Sequence, residues 1–600
     1  MSIIGSNILA GAAGASGAAT DYRIERSLRF NSADSAYLNR TPSSAGNRKT
    51  WTWSSWVKRS KLSTGNQHIF DNGSSPYTGL YFSANDDLIF RHYSGGNVWI
   101  LETDRKFRDT SSWFHVVVVY DSTQATASNR LAIYINGVKE TSFSTETYPS
   151  LNYDSSWNNS VVHQIATIAG MSFFDGYLAE VHGIDGQALA PTDFGEFDDN
   201  NVWQPKAFSG TYGTNGFHLD FSDNSSNAAL GTDSSGNSNT WTVNNLSVSS
   251  GYINDSVLTG SIYPGAGNIE KMFDGTTATC GPTGNAYVTF TPSTPITISS
   301  SLRIRANVSN TSVDADFAIN GSAVSTVTAG FPGSGGIVNA ASTWTTISNP
   351  PSSLTSLRFG WPSGGSWMAL SAIEIDGVVL TDIPGKDDDS LVDTPTNYGD
   401  DTGAGGEVRG NYATWNPLTS TGYLNNGNLE FTGSGWQTVA ATIMLPKSGK
   451  YYFEATLGGA PYGNLAGNLY HAIGLIAADT LRNWSYSANN SLMVSDAGWF
   501  HNYTADTNVG PFANGTVIGL AINVDSNEIT VYVNGSSATT ATIGIAAGTD
   551  LYIFNASYSA TYGVLKANFG QRPFAYTAPS GYKALCTQNL AEPTIADGST

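Results

Sequence analysis

The chain has 600 residues, and 40% of them are hydrophobic, which is enough for several packed domains. Only 13% are charged and the formal net charge is -20, so the surface repels nucleic-acid phosphates and anionic lipids. The composition argues against nucleic-acid binding, membrane binding and long amphipathic helices, which need more Glu, Lys and Arg. Two cysteines, Cys280 and Cys586, cannot form a disulfide framework and are typical of a chain made in a reducing cytoplasm.

The first 20 residues are rich in Gly and Ala. They carry no basic residue and no continuous apolar segment, so we expect no signal peptide here, and no stretch of the chain approaches the length of a transmembrane helix. Two interpretations remain open: a disordered tail, or an arm that orders when it docks into a larger assembly. The docking candidates are Ile3, Ile4, Ile8 and Leu9.

Residues 21–205 are predicted to form a first β-sandwich. Trp51 and Trp53 alternate along a strand, and Trp56 departs from the alternation by one position. This pattern predicts a strand with one buried face followed by a β-bulge. Turn signals spaced about ten residues apart along the segment are typical of a sandwich.

Two distant segments repeat one pattern. Residues 113–137 contain two β-rich runs that close on Asn136-Gly137, and residues 515–535 contain two such runs that close on Asn534-Gly535. Each pattern predicts a β-hairpin in an antiparallel sheet, so the chain is expected to hold several sandwiches. His115 lies within the first hairpin and is expected to be a surface residue that faces the neighbouring strand.

The order of motifs in the first sandwich resembles laminin-G and pentraxin-type concanavalin-A-like domains. The matching motifs are Trp113 to Asp121, Tyr134 to Gly137, Asp175 to Glu180, and Ile184 to Leu189. The resemblance covers most of residues 21–200 and implies a sandwich that binds glycans or proteins, sometimes through calcium. Calcium is possible at the loop residues Asp71, Asn72 and Asp175, although Asp-Gly and Asn-Gly pairs are first of all turn formers.

The middle of the chain is less regular. Residues 206–250 are a polar connector with an alternating piece at 217–221, which is either a strand returning to the first sandwich or a spacer. Residues 251–384 resemble a galactose-binding-like jelly roll, on the motifs Met272 to Thr279, Phe317 to Gly321 and Ala372 to Leu380. Residues 385–410 carry two acidic runs, which favour a solvated linker over a cation site.

Residues 411–588 resemble a SPRY domain, a sandwich that generally recognises partners without catalysis. The motifs are Gly449 to Ala455, His471 to Ile476, the second hairpin, and Leu565 to Gly570. Residues 589–600 form a polar tail. The expected fold is all-β, with tandem antiparallel sandwiches joined by linkers rich in Gly, Ser and Asp.

The whole arrangement resembles the virion structural and fibre proteins of marine tailed phages. The matching blocks are residues 3–12, 28–38, 48–59, 397–399 and 410–417. The resemblance implies a virion protein that is assembled in the host cytoplasm, contacts other virion proteins through its N-terminal arm, and forms a homo-oligomer such as a trimer. It implies no transferable site residues.

Catalysis is not expected. A retaining glycoside hydrolase of this fold needs two carboxylates about 5 Å apart on one strand face. The candidates Glu196 with Asp198 and Glu374 with Asp376 lack the further acid of such a pattern. No serine nucleophile elbow or zinc-protease motif is present, and none of the eight histidines has another His or Cys at metal-ligand spacing. The sequence therefore predicts no catalytic, cofactor-binding or metal residues.

Sugar binding needs an exposed aromatic ring beside amide or carboxylate groups. The candidates are expected in loops, and ordinary packing is the alternative for each one: Tyr93, Trp99, Trp361, Trp367, Trp484, Tyr486, Trp499, His501, Asn502 and Tyr503. Three functions remain open. They are a fibre or appendage that recognises host surface glycans, a capsid-decorating or architectural protein, and, least favoured, a polysaccharide depolymerase.

Overall fold

The structure is a computed structural model. It describes residues 22–73, 75–198, 201–248, 251–252, 258–260, 287–292, 295–308, 317–323, 344–347, 349–360, 368–381, 388–395, 408–420, 422–458, 470–481, 491–501, 506–510, 512, 515–545, 548–559 and 564–590. Regular structure within these ranges consists of β-strands and short 3₁₀ turns, so the predicted all-β class is confirmed. A helix long and apolar enough to span a bilayer does not occur among them.

The strands up to residue 244 are β1 (Ser27–Phe30), β2 (Tyr37–Arg40), β3 (Thr50–Arg59), β4 (Gln67–Asp71), β5 (Tyr77–Phe82), β6 (Asp87–Tyr93), β7 (Asn97–Lys106), β8 (Phe114–Asp121), β9 (Leu131–Ile135), β10 (Val138–Lys139), β11 (Phe143–Thr147), β12 (His163–Ile165), β13 (Gly176–Asp185), β14 (Gly195–Phe197), β15 (Trp203–Pro205), β16 (Phe217–Leu219) and β17 (Thr242–Asn244).

The strands of the middle region are β18 (Gly251–Tyr252), β19 (Leu258–Gly260), β20 (Tyr287–Phe290), β21 (Ile296–Thr297), β22 (Leu302–Val308), β23 (Phe317–Ile319), β24 (Ser322–Ala323), β25 (Trp344–Thr346), β26 (Ser353–Leu354), β27 (Leu357–Gly360), β28 (Met368–Ile375) and β29 (Val378–Thr381), followed by β30 (Ser390–Leu391). β18 to β29 form two five-stranded sheets and one strand pair.

The strands of the C-terminal region are β31 (Tyr423–Asn425), β32 (Glu430–Thr432), β33 (Ser434–Ala440), β34 (Lys450–Gly458), β35 (His471–Ala477), β36 (Ser491–Ser495), β37 (Trp499–His501), β38 (Asp506–Asn508), β39 (Val517–Asn523), β40 (Glu528–Val533), β41 (Ser536–Thr542), β42 (Leu551–Ser559) and β43 (Val564–Asn568). They form a seven-stranded and a six-stranded sheet around one hydrophobic core.

Two sheets pack face to face in the first sandwich. Sheet I has the order β10-β9-β8-β3-β13-β1-β30, with β16 also paired to β13, and sheet II has the order β11-β7-β6-β5-β4-β12-β2-β17. Their shared core is aromatic. Trp51 stacks on Tyr120 at 5.4 Å between ring centroids, and Trp53 lies 4.9 Å from Phe70. Alternation places Trp51 and Trp53 in this core, as the sequence pattern predicted.

The prediction of a bulge in the strand of Trp56 is wrong. β3 stays in register with β8 from Thr50 to Val57, and Trp56 lies on the opposite face of sheet I from Trp53. The irregularity is in β13, where the register against β3 shifts between Ala179 and His182.

Both predicted hairpins are confirmed. β8 pairs with β9, and β39 pairs with β40, each antiparallel. The Asn-Gly pairs lie in the next turn along the chain, between β9 and β10 and between β40 and β41. Asn136 and Gly137 have φ values of 48° and 78°, and Asn534 and Gly535 have 47° and 77°, as a type I′ turn requires. The Asn136 Oδ1 accepts the His115 amide, and the Asn534 Oδ1 accepts the Val517 amide, in the same way.

The polar connector returns to the first sandwich, which is the first of the two alternatives. β16 pairs with β13 of sheet I, and β17 pairs with β2 at the edge of sheet II. The stretch expected to be a linker also carries structure, because β30 pairs with β1 in sheet I. Ser247 and Asp389 exchange hydrogen bonds, from the Asp389 amide to the Ser247 carbonyl at 2.8 Å and from the Ser247 amide to the Asp389 carboxylate at 2.9 Å.

The first and C-terminal sandwiches share a buried polar contact. The Lys58 ammonium lies 2.8 Å from Asp393 Oδ2, 2.7 Å from Asn411 Oδ1 and 2.9 Å from the Tyr412 carbonyl. The Trp113 indole donates to Asp393 Oδ1 at 2.9 Å. These two units are therefore packed together and not strung on a solvated linker.

Candidate functional site

The outer face of sheet II carries the candidate site. In β5 and β6, Leu80 and Phe90 are buried in the sandwich core, so alternation places Tyr77, Tyr81 and Arg91 on the other face. We call this surface the tyrosine–arginine face, and it comprises His68, Asp71, Tyr77, Tyr81, Arg91 and Tyr93.

Strand register sets the order of these side chains across the sheet. Tyr77 of β5 is opposite Tyr93 of β6, and their rings stack at 5.4 Å between centroids with an interplanar angle of 23°. His68 of β4 is opposite Tyr81, and those rings stack at 4.5 Å and 12°. The surface is thus a tight aromatic layer at the middle of the sheet.

Arg91 lies at the centre of this layer. Its guanidinium carbon is 5.2 Å from the Tyr77 ring centroid, 4.9 Å from that of Tyr81 and 5.4 Å from that of Tyr93. Its Nη2 donates to the Tyr77 hydroxyl, whereas its Nε has no hydrogen-bond partner among the described residues. The rings hold the cation through cation–π contacts, and the Nε atom is itself buried, whereas the side chain as a whole is partly exposed.

Asp71 lies beside Arg91, with β5 between them, and is fully buried. Its Oδ1 accepts the Gly73 amide at 2.9 Å, and Oδ2 has no hydrogen-bond partner within the described chain. Gly79 lies between Asp71 and Arg91 in register, and a Cβ there would lie 2.2 Å from Asp71 Oδ2. Only glycine at this position leaves room for the carboxyl group.

Burial controls the protonation of this end of the site. It raises the pKa of Asp71 well above its usual value and lowers the pKa of His68 to about 3, the latter with help from the Arg91 charge. His68 Nδ1 lies 3.2 Å from Asp71 Oδ2. Both shifts favour uncharged side chains, which suits an uncharged polyhydroxyl ligand better than an ionic one.

The exposed part of the face offers the Tyr93 ring beside the Arg91 guanidinium within a single sheet. Tyr93 and Arg91 are partly exposed, while Tyr77 is 9% and Tyr81 is 2% exposed. Rings that stack on the apolar face of a sugar beside fixed hydrogen-bonding groups are what a pyranose requires.

Two of the sequence candidates fall in this region, on strands and not in loops. Tyr93 belongs to the tyrosine–arginine face. Trp99 of β7 is fully buried in the core and packs against Tyr120 and Phe90. Since its ring has no exposed surface, the prediction of Trp99 as a glycan contact is corrected.

The C-terminal sandwich holds the other described candidates, both on β37. Trp499 is 39% exposed, and His501 Nδ1 lies 2.9 Å from Asp506 Oδ1. The remaining candidates lie outside the described residues: Trp361, Trp367, Trp484, Tyr486, Asn502 and Tyr503, together with the docking candidates Ile3, Ile4, Ile8 and Leu9.

The carboxylate pairs considered for catalysis make structural contacts. Glu374 pairs with Arg303, and Asp376 accepts the amides of residues 299 to 301. Asp198 accepts the Val202 amide in a turn at 2.8 Å. The loop residues considered for calcium also make structural hydrogen bonds. Asn72 Oδ1 accepts the Thr78 amide, and Asp175 Oδ1 accepts the Ser32 amide.

His115 is buried, so its prediction as a surface residue is wrong. Trp203 Nε1 donates to His115 Nδ1 at 3.1 Å, and Ser54 Oγ lies 2.7 Å from His115 Nε2. Burial lowers the His115 pKa to about 3, so the ring is neutral and its proton lies on Nε2. That nitrogen donates to Ser54 and cannot act as a base toward it.

Sequence reasoning missed Tyr77, Tyr81 and Arg91 as site residues, and it named Asp71 only for calcium. Tyr77 and Tyr81 are four residues apart on a six-residue strand, so period-2 alternation places them on one face. That signal was available, but the pattern does not tell which face is turned toward the partner sheet.

Comparison with known proteins identifies the fold of this unit. Residues 31–193 match the family model Laminin_G_3, described as the Concanavalin A-like lectin/glucanases superfamily. No curated protein matches the chain.

Among solved structures, the chain is similar to the SPRY domain of human HERC1, at 18% identity over 26% of this chain and 96% of that chain, with a TM-score of 0.22. It is similar to the heptameric SAP-like pentraxin of Limulus polyphemus, at 16% identity over 28% and 78%, with a TM-score of 0.22. A third is a candidate carbohydrate-binding protein from Bacteroides ovatus, at 16% identity over 37% and 59%, with a TM-score of 0.26. The first sandwich is thus a concanavalin A-like lectin/glucanase domain over residues 31–193.

Proposed function

We propose that the first sandwich binds carbohydrate on the tyrosine–arginine face. The observation that carries the proposal is the layer of Tyr77, Arg91 and Tyr93, in which the Arg91 guanidinium lies against the rings and Arg91 and Tyr93 are partly exposed. A partly exposed ring beside a fixed cationic donor can stack on a sugar and hydrogen-bond its hydroxyl groups. The concanavalin A-like fold of residues 31–193 supports a ligand of this class.

The proposed activity is binding without hydrolysis. Asp71 stands on this face beside a histidine whose pKa is lowered, and the carboxylates of the sequence candidates are held by salt bridges or turn amides elsewhere. A hydrolase would need an acid and a nucleophile or base flanking one bond. Incubation with host polysaccharide and an assay for new reducing ends tests this, and turnover that is lost in Asp71→Asn would contradict it.

We further propose that the chain is a component of a phage virion, a fibre or appendage that presents this face to host surface glycans. The support is the resemblance of residues 3–12, 28–38 and 48–59 to virion proteins of marine tailed phages. Docking would use the arm at residues 1–20, and the assembled protein would be oligomeric. Deletion of this arm should remove the protein from purified particles, and unchanged incorporation would contradict the docking role.

A glycan array with the full chain tests carbohydrate binding directly. Wild type should bind a defined glycan, and Tyr93→Ala should lose about 2- to 10-fold in affinity or more, because one stacked ring contributes roughly 0.5–1.5 kcal/mol beyond its buried area. Tyr423→Ala is the matched control, since Tyr423 is 67% exposed on the C-terminal sandwich.

Trp499→Ala serves as the competing variant. If Trp499→Ala abolishes binding and Tyr93→Ala does not, the sugar site lies on the C-terminal sandwich and the assignment to the tyrosine–arginine face is wrong. If wild type binds no glycan on the array even at high protein concentration, the capsid-decorating or architectural role is favoured instead.

A further inference from the structure

A second buried cluster lies on the outer face of sheet I, on the opposite side of the sandwich from the tyrosine–arginine face. It joins Glu180 and His182 of β13 to His218 of β16. One potential ligand atom from each residue lies within 4.8 Å of those of the other two. In the described part of the chain, these three residues form the group that could hold a metal ion. Glu180 and His182 are 4% and 2% exposed, so these polar side chains are buried together and are not a chance cluster on the surface.

Local backbone geometry aims the three side chains at one point. His182 is directly opposite His218 in the β13–β16 pairing, and their rings stack at 4.2 Å between centroids. Glu180 has a φ of 51°, which is unfavourable for a residue with a side chain, and it lies in the β13 bulge. Bulges re-aim side chains, and strained residues gather at functional sites. The bulge turns Glu180 toward both histidines.

The distances match a metal centre. Glu180 Oε2 lies 3.3 Å from His182 Nε2 and 2.9 Å from His218 Nε2. A tetrahedral Zn²⁺ with ligands at about 2.0–2.1 Å separates neighbouring ligand atoms by about 3.3 Å. Small side-chain shifts would therefore admit the ion between the three atoms, once the protons on the two histidine Nε2 atoms that now face the carboxylate have moved to Nδ1 or to solvent.

The surrounding groups hold the ligands in place. The Tyr212 hydroxyl lies 3.1 Å from His182 Nδ1, on the side of the ring away from Glu180, and the Tyr22 hydroxyl donates to Glu180 Oε2 at 2.6 Å. Partners on the far nitrogen of a ligand histidine and on a ligand carboxylate are a regular feature of metal sites.

We propose that Glu180, His182 and His218 bind one divalent first-row transition metal ion, with Zn²⁺ as the first choice. Two imidazoles and one carboxylate suit Zn²⁺ and disfavour Ca²⁺ and Mg²⁺, which take oxygen ligands. The ion would tie β13 to β16 and, through Tyr22, to the start of the described chain. It would stabilise the sandwich on the side that the proposed glycan does not touch.

The test uses the full chain after treatment with EDTA. Zn²⁺ titration by calorimetry should give one ion per chain, and Co²⁺ should give the visible absorption of a tetrahedral N/O site. Loss of even a partner of a metal ligand costs about 10–100-fold in affinity, so His218→Gln should weaken binding by at least about 100-fold. His501→Gln, which removes a His–Asp pair at the surface, is the matched control and should bind as wild type.

The proposal is overturned if wild type binds neither ion in a saturable manner, or if His218→Gln binds with wild-type affinity. If circular dichroism shows that His218→Gln is unfolded, Tyr212→Phe is used in its place. This variant keeps the ring packing and removes only the hydroxyl contact to His182. An affinity equal to wild type in that variant would then contradict the metal site, and a loss of about 10-fold would support it.

Discussion

The two outer faces of the first sandwich hold their cations differently. On sheet I, Lys58 is fully buried and its ammonium contacts three oxygens. On sheet II, Arg91 is partly exposed, and its Nε lacks a hydrogen-bond partner among the described residues. Both cations lie on strands of the same sandwich. The first is covered by the C-terminal sandwich, and the second is held by three tyrosine rings and the Tyr77 hydroxyl. A buried cation whose three donors are all matched by another unit serves assembly of the chain, and a partly exposed cation stays accessible to a ligand.

The largest expected effect is at the covered face. Asp393→Asn leaves the Lys58 charge buried without its counter-ion and should lower the free energy of unfolding of the joined sandwiches by about 3–5 kcal/mol. Urea unfolding followed by Trp fluorescence measures it. Asp550→Asn is the control, because Asp550 pairs with Lys447 at the surface, and it should cost less than about 1 kcal/mol. Equal losses in the two variants would remove the contrast between the faces.

A smaller loss is expected from a single hydroxyl group at the same contact. The Tyr177 hydroxyl donates to the buried Gly427 carbonyl of the C-terminal sandwich at 2.6 Å. Tyr177→Phe leaves that carbonyl without the donor and should cost about 1–2 kcal/mol. Tyr134→Phe, on the same face of sheet I, should change stability little, and a comparable cost there would show that hydroxyl loss alone is not specific to the contact.

The pH dependence of the free energy of unfolding should also distinguish the two faces. Because the pKa of Asp71 is raised in the folded state, the folded chain holds this proton more tightly than the unfolded chain does. Asp71 therefore reduces stability as the pH rises above the unfolded value of the carboxyl group. Asp71→Asn should remove this loss, at most about 1.4 kcal/mol per pH unit, and be more stable than wild type near pH 7. Thermal melts from pH 4 to 8 measure the difference, and parallel curves would refute the shift.

The smallest stability effect is expected at the open face. Tyr93→Ala should change the free energy of unfolding by less than about 1 kcal/mol, because Tyr93 is partly exposed and contributes no core contact. The same variant should lose glycan binding. A large loss of stability would mean that Tyr93 is a structural residue, and the face would then resemble the covered one.

Sequence patterns predicted the features that depend on residues close in the chain, and they did not predict contacts between distant residues. The two hairpins that end in Asn-Gly and the Trp51–Trp53 alternation depend on residues close in the chain, and the structure has them as predicted. Tyr93 and Trp99 both lie in regular strands, but which of them faces the core depends on the position of the other sheet.

Contacts distant in the chain were invisible to sequence patterns. Lys58 and Asp393 are 335 positions apart, and His182 and His218 meet only because β16 pairs with β13. No spacing rule links such residues, so neither the joined sandwiches nor the Glu180 cluster could be predicted.

The hydrogen bonds between Ser247 and Asp389 bring together the two ends of the segment that forms the middle sheets. A pulling force along the chain would therefore pass from the first sandwich straight into the C-terminal one through β30 and the Lys58 contact. The middle unit lies within the loop of chain that these hydrogen bonds close, so it would bear little of that tension while the joint holds. Replacement of this unit by another module should therefore leave the path of force between the two sandwiches in place.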